Sequence, residues 1–182
     1  MEEHKEKPFG TDFWTFVISR SYMIIHITTW FIFAVSLFNF IINYGKLPDE
    51  AGVHFDGNGQ FDVYDSKVYG FYPFIVSFVA LILVYLFERA AGSKKVKLGM
   101  KLNEKGETLF RGTIVLGLAV EGFLITMVFA YYWARSVEQQ IPLPVQSELK
   151  GVMIAAFFVV PLAVLILLIV ISIIFKDKAK KE

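Results

Sequence analysis

The chain has 182 residues, of which 55% are hydrophobic, with a mean hydropathy of +0.55, a formal net charge of +1 and no cysteine. Soluble domains average about 45–50% apolar residues, so the excess favours a membrane protein. The near-neutral charge argues against nucleic acid as a partner, and the absence of thiols excludes disulfides and thiolate metal sites. We find no nucleophile–base pair, phosphate-binding loop or metal-ligand motif, so we expect no cofactor and no metal site. The question of an enzymatic role stays open, but the sequence disfavours one.

Four apolar blocks dominate the chain. About 20 apolar residues in a helix cross the hydrocarbon core of a bilayer. The blocks are Tyr22–Ile42, Tyr69–Phe87, Thr113–Ala134 and Val152–Phe175. The preceding residues, 1–21, are predicted to be cytoplasmic, and within them Thr11–Arg20 has the pattern of an interfacial helix leading into the first block. The sequence therefore predicts an all-α integral membrane protein with four transmembrane helices.

The first span carries polar residues on one helical face, at successive spacings of 3, 7, 3 and 4. These residues are His26, Thr29, Ser36, Asn39 and Asn43. A row with this periodicity faces the interior of a helix bundle. Such side chains are expected to hydrogen-bond across helices, at about 0.6 kcal/mol each.

Glu121 lies inside the third apolar block and is a functional candidate, because an intramembrane carboxylate is costly unless it is protonated or paired. Glu121 and His26 both lie toward the inner side of their spans, so pairing between them is geometrically feasible. Three roles stay open: structural hydrogen bonding, proton or ion handling, and contact with another subunit. Thr113 and Gly117 precede Glu121 at intervals of four, and they offer small side chains for close helix approach.

A polar segment, residues 44–67, separates the first two spans. Its Gly-Asn-Gly run at residues 57–59 is a strong turn signal and predicts a small β-hairpin with His54 near its base. The aromatic residues expected to pin this hairpin to the helix ends are Phe55, Phe61 and Tyr64. The segment is an ordered element in this interpretation, and not a spacer.

Acidic residues outnumber lysines in this segment, so it would attract cations or a basic ligand. A calcium loop starting at Asp56 is disfavoured, because Phe61 and Lys67 stand where glycine and glutamate are required. For His54 we expect either a structural hydrogen bond to a neighbouring carboxylate or backbone group, or a ligand-binding or pH-sensing role. Metal ligation is disfavoured because no second histidine lies nearby.

Several spaced motifs in and around this segment point to a family. They are Leu47-Pro48-Asp49, His54-Phe55, Gly59, Asp62, Ser66-Lys67 and Pro73. With these motifs, residues 22–90 resemble the N-terminal domain of the SdpI-type membrane proteins, a family of bacterial immunity and signal-transduction proteins. The resemblance implies an immunity-like or signalling-like role in a bacterial inner membrane. The loop residues expected to bind a ligand or partner are Pro48, Asp49, His54, Phe55, Asn58, Gly59, Asp62 and Lys67.

Residues 91–112 connect the second and third spans and contain an alternating apolar pattern. Val96, Leu98, Met100 and Leu102 alternate with polar or small residues, and a turn-like run follows at 103–106. This pattern predicts a β-hairpin on the cytoplasmic side. Residues 113–175 then supply the third and fourth spans.

The distribution of basic residues sets the expected orientation. Most of the 18 lysines and arginines lie in the N-terminal segment, in residues 91–112 and in the tail, 176–182. The positive-inside rule therefore predicts that both termini are cytoplasmic and that residues 44–67 face outward from a plasma membrane. The aromatic residues expected at the outer interface are Tyr44, Tyr69, Tyr72, Tyr131, Tyr132 and Trp133.

These observations favour a multi-pass membrane protein that binds or senses a ligand or partner through its outer loop. The alternatives are a structural accessory subunit of a larger membrane complex, and a small proton- or ion-coupled carrier that uses Glu121 and His26. The expected partners are the lipid bilayer and a protein, a peptide or a second copy of the chain.

Overall fold

The computed structural model describes residues 9–56, 61–140 and 150–176, and this part of the chain is mostly helical. Its α-helices are α1 (Phe9–Asn43), α2 (Tyr72–Gly92), α3 (Glu104–Gln140) and α4 (Lys150–Ile174), and its strands are β1 (Glu50–Phe55) and β2 (Phe61–Ser66). Short 3-10 helices, Tyr44–Lys46 and Lys67–Phe71, join the hairpin to α1 and α2.

Three helical segments are long and apolar enough to cross a membrane. They are Ile18–Lys46, Lys67–Gly92 and Glu104–Ala134. The apolar part of α4 whose side chains are described, Phe158–Ile174, is shorter than the about 20 residues that a span needs. The prediction of membrane-spanning helices is therefore supported for three of the four, and the fourth span stays a prediction.

The predicted interfacial helix is part of α1. Residues 11–20 are helical, but α1 continues through them to Asn43 without a break. Neither proline nor glycine occurs between Thr11 and Asn43, so the sequence gives the helix no reason to end before the first span.

The central helix of the bundle is α3, which packs against α1, α2 and α4. A Cβ added at Gly117 would lie 2.8 Å from Cγ2 of Val164, so glycine at this position permits the close approach of α4. On another side of α3, a Cβ added at Gly122 would lie 3.3 Å from Cγ1 of Val84 in α2, which is tighter than most Cβ contacts. Small residues in α3 thus allow close packing, as the spacing around Gly117 predicts.

Large apolar side chains are exposed on the outer faces of α1, α2 and α4. Examples are Ile27, Phe31, Phe38, Leu86, Phe87, Phe158 and Ile173. A water-soluble protein of this size exposes far smaller contiguous apolar patches. Lipid around the bundle would cover these faces.

Residues 44–67 contain the predicted hairpin, with β1 and β2 antiparallel. Glu50 pairs with Ser66 at its base and Phe55 with Phe61 at its far end, and the register shifts on both sides of His54. The turn predicted at 57–59 lies outside the described residues. His54 stands opposite Val63 toward the far end, so its predicted position near the base is wrong. The two shifts are bulges, which an alternating pattern does not reveal.

The predicted cytoplasmic hairpin between the second and third spans is absent, because α3 already begins at Glu104. The Asn103 side chain accepts a hydrogen bond from the Gly106 amide at 2.8 Å, and the Asn103 carbonyl accepts from the Glu107 amide at 2.9 Å. This is an N-cap followed by acidic residues in the first turn. The Asn-Glu-Lys-Gly run starts a helix and does not turn a hairpin. Leu102 instead makes an isolated bridge to Lys176 at the end of α4.

Candidate functional site

The hairpin stands on an aromatic cluster at one end of the bundle. Leu47 is buried there with Phe40, Phe74, Trp133 and Val137. The Phe40 and Trp133 ring centroids are 4.4 Å apart in an edge-to-face arrangement, which is favourable for aromatic pairs. Trp133 is only 5% exposed, so it packs inside the protein and does not face outward as a residue of an aromatic belt would. The first residues of the loop are therefore packed into the protein.

Lys67 ties the base of the hairpin together. Its Nζ lies 2.9 Å from Oδ1 of Asp49 and donates to the Leu47 carbonyl at 3.5 Å. Its backbone amide donates to the Asp49 carbonyl at 3.0 Å. The ammonium also lies 5.3 Å from the Tyr44 ring centroid, within the range of a cation–π contact. Asp49 and Lys67, both predicted to bind a ligand, thus hold the loop in place.

The Lys67 ammonium lowers the pKa of Asp49 below its ordinary value of 3.8, first through the hydrogen bond and then through its charge. A lowered pKa in the folded state means that ionised Asp49 favours the anchored hairpin above pH 3.8. This contribution is lost as the pH falls through the lowered pKa.

We expect the Asp49 carboxyl of the purified protein to titrate below 3.8 in a carbon-13 NMR experiment. Lys67→Met removes both the hydrogen bond and the charge, so it should return the midpoint toward 3.8. Equal midpoints in the two proteins would show that the Lys67–Asp49 contact does not form in solution.

A second set of contacts fixes the hairpin against α3. The backbone amide of Gly52 donates to Oε1 of Gln140 at 3.1 Å. The Phe61 ring covers Gly52 so closely that a Cβ added there would overlap it. The adjacent Ala51 is buried as well. One strand of the hairpin thus leans on the bundle, and only glycine fits beneath Phe61.

The far part of the hairpin is exposed and carries a histidine–carboxylate pair. Nδ1 of His54 lies 2.6 Å from Oδ1 of Asp62, and the two side chains are 65% and 44% exposed. This contact matches one of the two roles expected for His54, a hydrogen bond to a neighbouring carboxylate. The rest of the imidazole is accessible to a partner.

The other predicted loop residues are only partly covered by the structure. Pro48 is exposed next to the Lys67–Asp49 contact. Asn58, Gly59 and the side chain of Phe55 lie outside the described parts of the chain.

At the opposite end of the bundle, His26 pairs with Glu88 and not with Glu121, the pairing that the sequence left feasible. Nε2 of His26 lies 3.1 Å from Oε2 of Glu88, whose side chain is 1% exposed. The Tyr22 hydroxyl donates to the same oxygen at 3.0 Å. The other oxygen, Oε1, has no hydrogen-bond partner among the described residues.

Sequence reasoning missed Glu88 because it follows Phe87 at the end of an apolar run and precedes Arg89. A carboxylate there resembles an ordinary solvated helix end. The position of Glu88 along the helix could have identified it as buried. It lies on the same face of α2 as Phe74, Ser77 and Leu81, and all four residues are buried.

In the polar row of α1, Thr29 and Asn43 are buried as predicted, but their hydrogen bonds differ from the prediction. The Thr29 hydroxyl donates to the Ile25 carbonyl at 2.7 Å, and the Asn43 amide donates to the Asn39 carbonyl at 3.0 Å. These bonds stay within α1, where nearby carbonyls are the closest acceptors. Asn39 is exposed and not directed into the bundle. Of the described members of the row, His26 has a polar contact across helices.

Glu121 is half-buried in α3, and its Oε1 has no hydrogen-bond partner in the described part of the chain. The carrier alternative uses His26 together with Glu121, and the structure does not bring these two side chains into contact. A cleft of about 100 Å³ lies beside His26, lined also by Thr29, Trp30, Tyr85 and Gly122. Sites for small organic ligands are usually about 300–1,000 Å³, so this cleft suits a few water molecules and not a metabolite.

The described residues contain no group of three or more acidic, histidine or cysteine side chains that would hold a metal ion. Comparisons of the chain with protein-family models, with curated proteins and with solved structures found no match.

Proposed function

We propose that this chain is a multi-pass membrane protein that recognises a protein or peptide partner through the outward side of its hairpin. One observation carries the proposal: the hairpin is fixed at its base but exposes apolar side chains along β2. Val63 is 47% exposed and Tyr64 is 61% exposed. Exposed aromatic and aliphatic side chains on a preorganised backbone are typical anchors of binding interfaces.

The chemistry of this surface defines the class of partner. Asp62 and Asp65 are exposed beside Val63 and Tyr64, and β1 adds exposed Glu50. A complementary partner has an apolar patch flanked by lysine or arginine side chains. The resemblance to SdpI-type proteins supports an immunity-like or signalling-like role for such an encounter. The placement outside a plasma membrane, with both termini in the cytoplasm, rests on the distribution of basic residues.

Site-specific photocrosslinking in intact cells tests this proposal. A photoreactive amino acid at Tyr64 should give a discrete protein or peptide adduct, identified by mass spectrometry. The control position is Ile166 of α4, which is 53% exposed on a face suited to lipid. It should not give the same adduct. An adduct with a second copy of the chain would identify that copy as the partner, whereas no adduct at Tyr64, or the same products at both positions, would contradict the proposal.

A further inference from the structure

Residues 93–102, here called the connector, carry a concentrated positive charge. Lys94, Lys95, Lys97 and Lys101 are exposed, and no acidic residue lies between Arg89 and Asn103. None of the four lysines makes an ion pair within the described chain. This charge is therefore free to meet an external anion.

Apolar side chains alternate with these lysines and are exposed too. Val96 is 47% exposed and Met100 is 44% exposed. A soluble anion or a nucleic acid backbone would contact the lysines but would not bury the apolar side chains between them. The boundary between lipid headgroups and acyl chains accommodates both kinds of side chain.

The connector has a defined position because Arg111 binds its backbone. The guanidinium is buried and donates from Nη1 to the carbonyls of Ala91 and Ser93, at 3.0 and 2.8 Å, and from Nη2 to that of Val96 at 2.6 Å. Nε donates to Oε1 of Glu107 at 2.8 Å. The charge of Arg111 is satisfied inside the protein, and the lysines are displayed around it.

The other end of the connector is held by α4. The Asn103 amide donates to the Phe175 carbonyl at 3.1 Å, and Nζ of Lys105 lies 5.7 Å from the Phe175 ring centroid. The bridge between Leu102 and Lys176 brings one more lysine to this place. The connector thus lies where α2 ends, α3 begins and α4 ends, which is the level of a membrane surface if these helices cross the bilayer.

We propose that the connector is a docking surface for anionic lipid headgroups, with the lysines contacting phosphate and with Val96 and Met100 inserted at the acyl boundary. Anionic leaflets attract juxtamembrane lysines by about 1 kcal/mol each, which is about fivefold per residue. This surface is separate from the hairpin and does not depend on what the hairpin binds.

Native mass spectrometry of the full-length protein in mild detergent tests the proposal. The wild-type protein, mixed with equal amounts of phosphatidylglycerol and phosphatidylcholine, should retain phosphatidylglycerol preferentially. Replacing all four lysines with glutamine should reduce that preference by well over the roughly fivefold that a single lysine contributes. The matched control, four lysine-to-arginine changes, keeps the charge and should keep the preference.

A salt titration of the wild-type protein provides a measurement that does not rely on any variant folding. The preference for phosphatidylglycerol should decline as sodium chloride is raised, because exposed charges are screened. A preference that survives in the glutamine variant or is insensitive to salt would overturn the proposal. A competition with inorganic phosphate gives a further outcome, measured against sodium chloride at the same ionic strength. If phosphate displaced the lipid and chloride did not, the surface would be a site for free anions and the proposal would be overturned.

Discussion

Replacing Arg111 with methionine should lower the free energy of unfolding by about 3–5 kcal/mol, since hydrogen bonds to a charged group contribute about 1.5–3 kcal/mol each and are not additive. The variant would leave the carbonyls of Ala91, Ser93 and Val96 without their donor. Methionine keeps much of the side-chain volume, so the loss would report on hydrogen bonding more than on packing. Denaturant titration in detergent, followed by tryptophan fluorescence, measures the change.

Arg89→Met is the control for this effect. Arg89 also carries a positive charge at the end of α2, but it is exposed and lies 6.0 Å from the Tyr85 ring centroid. Its replacement should cost less than about 1 kcal/mol. If the two variants were equally stable, Arg111 would not organise the connector, and the lysines there would have no fixed arrangement.

Replacing His26 with leucine should lower the free energy of unfolding by about 3 kcal/mol, because it leaves the Glu88 carboxylate buried with only the Tyr22 hydroxyl as partner. Replacing both His26 and Glu88 with leucine should recover most of that loss, since neither buried polar group then needs a partner. The same denaturant titration, applied to the two single variants and the double variant, gives the interaction energy.

Glu121→Gln is the comparison for this cycle. Its Oε1 has no hydrogen-bond partner among the described residues, so the change should shift the free energy of unfolding by less than about 1 kcal/mol. A large loss of unfolding free energy in Glu121→Gln, together with a small loss in His26→Leu, would contradict this account. Glu121, and not the His26–Glu88 pair, would then be the important polar group for stability.

The long apolar helices were predictable because bilayer thickness imposes a minimum run of apolar residues. The partner of His26 could not be predicted in this way. From sequence, Glu121 stood out because it interrupts an apolar block, whereas Glu88 follows one. Which carboxylate meets the imidazole depends on how α1 and α2 are rotated against each other, and the order of residues within one helix does not encode that rotation.

The two loops show opposite outcomes from similar patterns. Between α1 and α2, a turn signal predicted a hairpin, and β1 and β2 pair as expected. Between α2 and α3, an alternating pattern predicted another, but the N-cap at Asn103 starts a helix instead. A turn-like run before an apolar segment is compatible with a hairpin turn and with the start of a helix. Here the cap at Asn103 and the carbonyl contacts of Arg111 favour the helix.

The roles of Asp49 and Lys67 also required the structure. Both were predicted to bind a ligand, which stays a prediction, and the structure shows them in contact with each other at the base of the hairpin. The proposed recognition surface uses the exposed residues on β2, Val63 and Tyr64. Exposure of an apolar residue in a half-buried hairpin depends on bulges and on the contact between Gly52 and Phe61, neither of which the sequence pattern reveals.

Cysteine accessibility in intact cells tests most directly the central claim, that the hairpin faces outward while the connector faces the cytoplasm. The chain has no cysteine, so single cysteines at Val63 and Gly99, both exposed, would be unambiguous. An added Cβ at Gly99 meets no atom within 4 Å, and this residue is not among those proposed to contact lipid. We predict that a membrane-impermeant maleimide labels Val63→Cys in intact cells, and that it labels Gly99→Cys only after the membrane is permeabilised. Labelling of Gly99→Cys in intact cells, with Val63→Cys protected, would contradict the account.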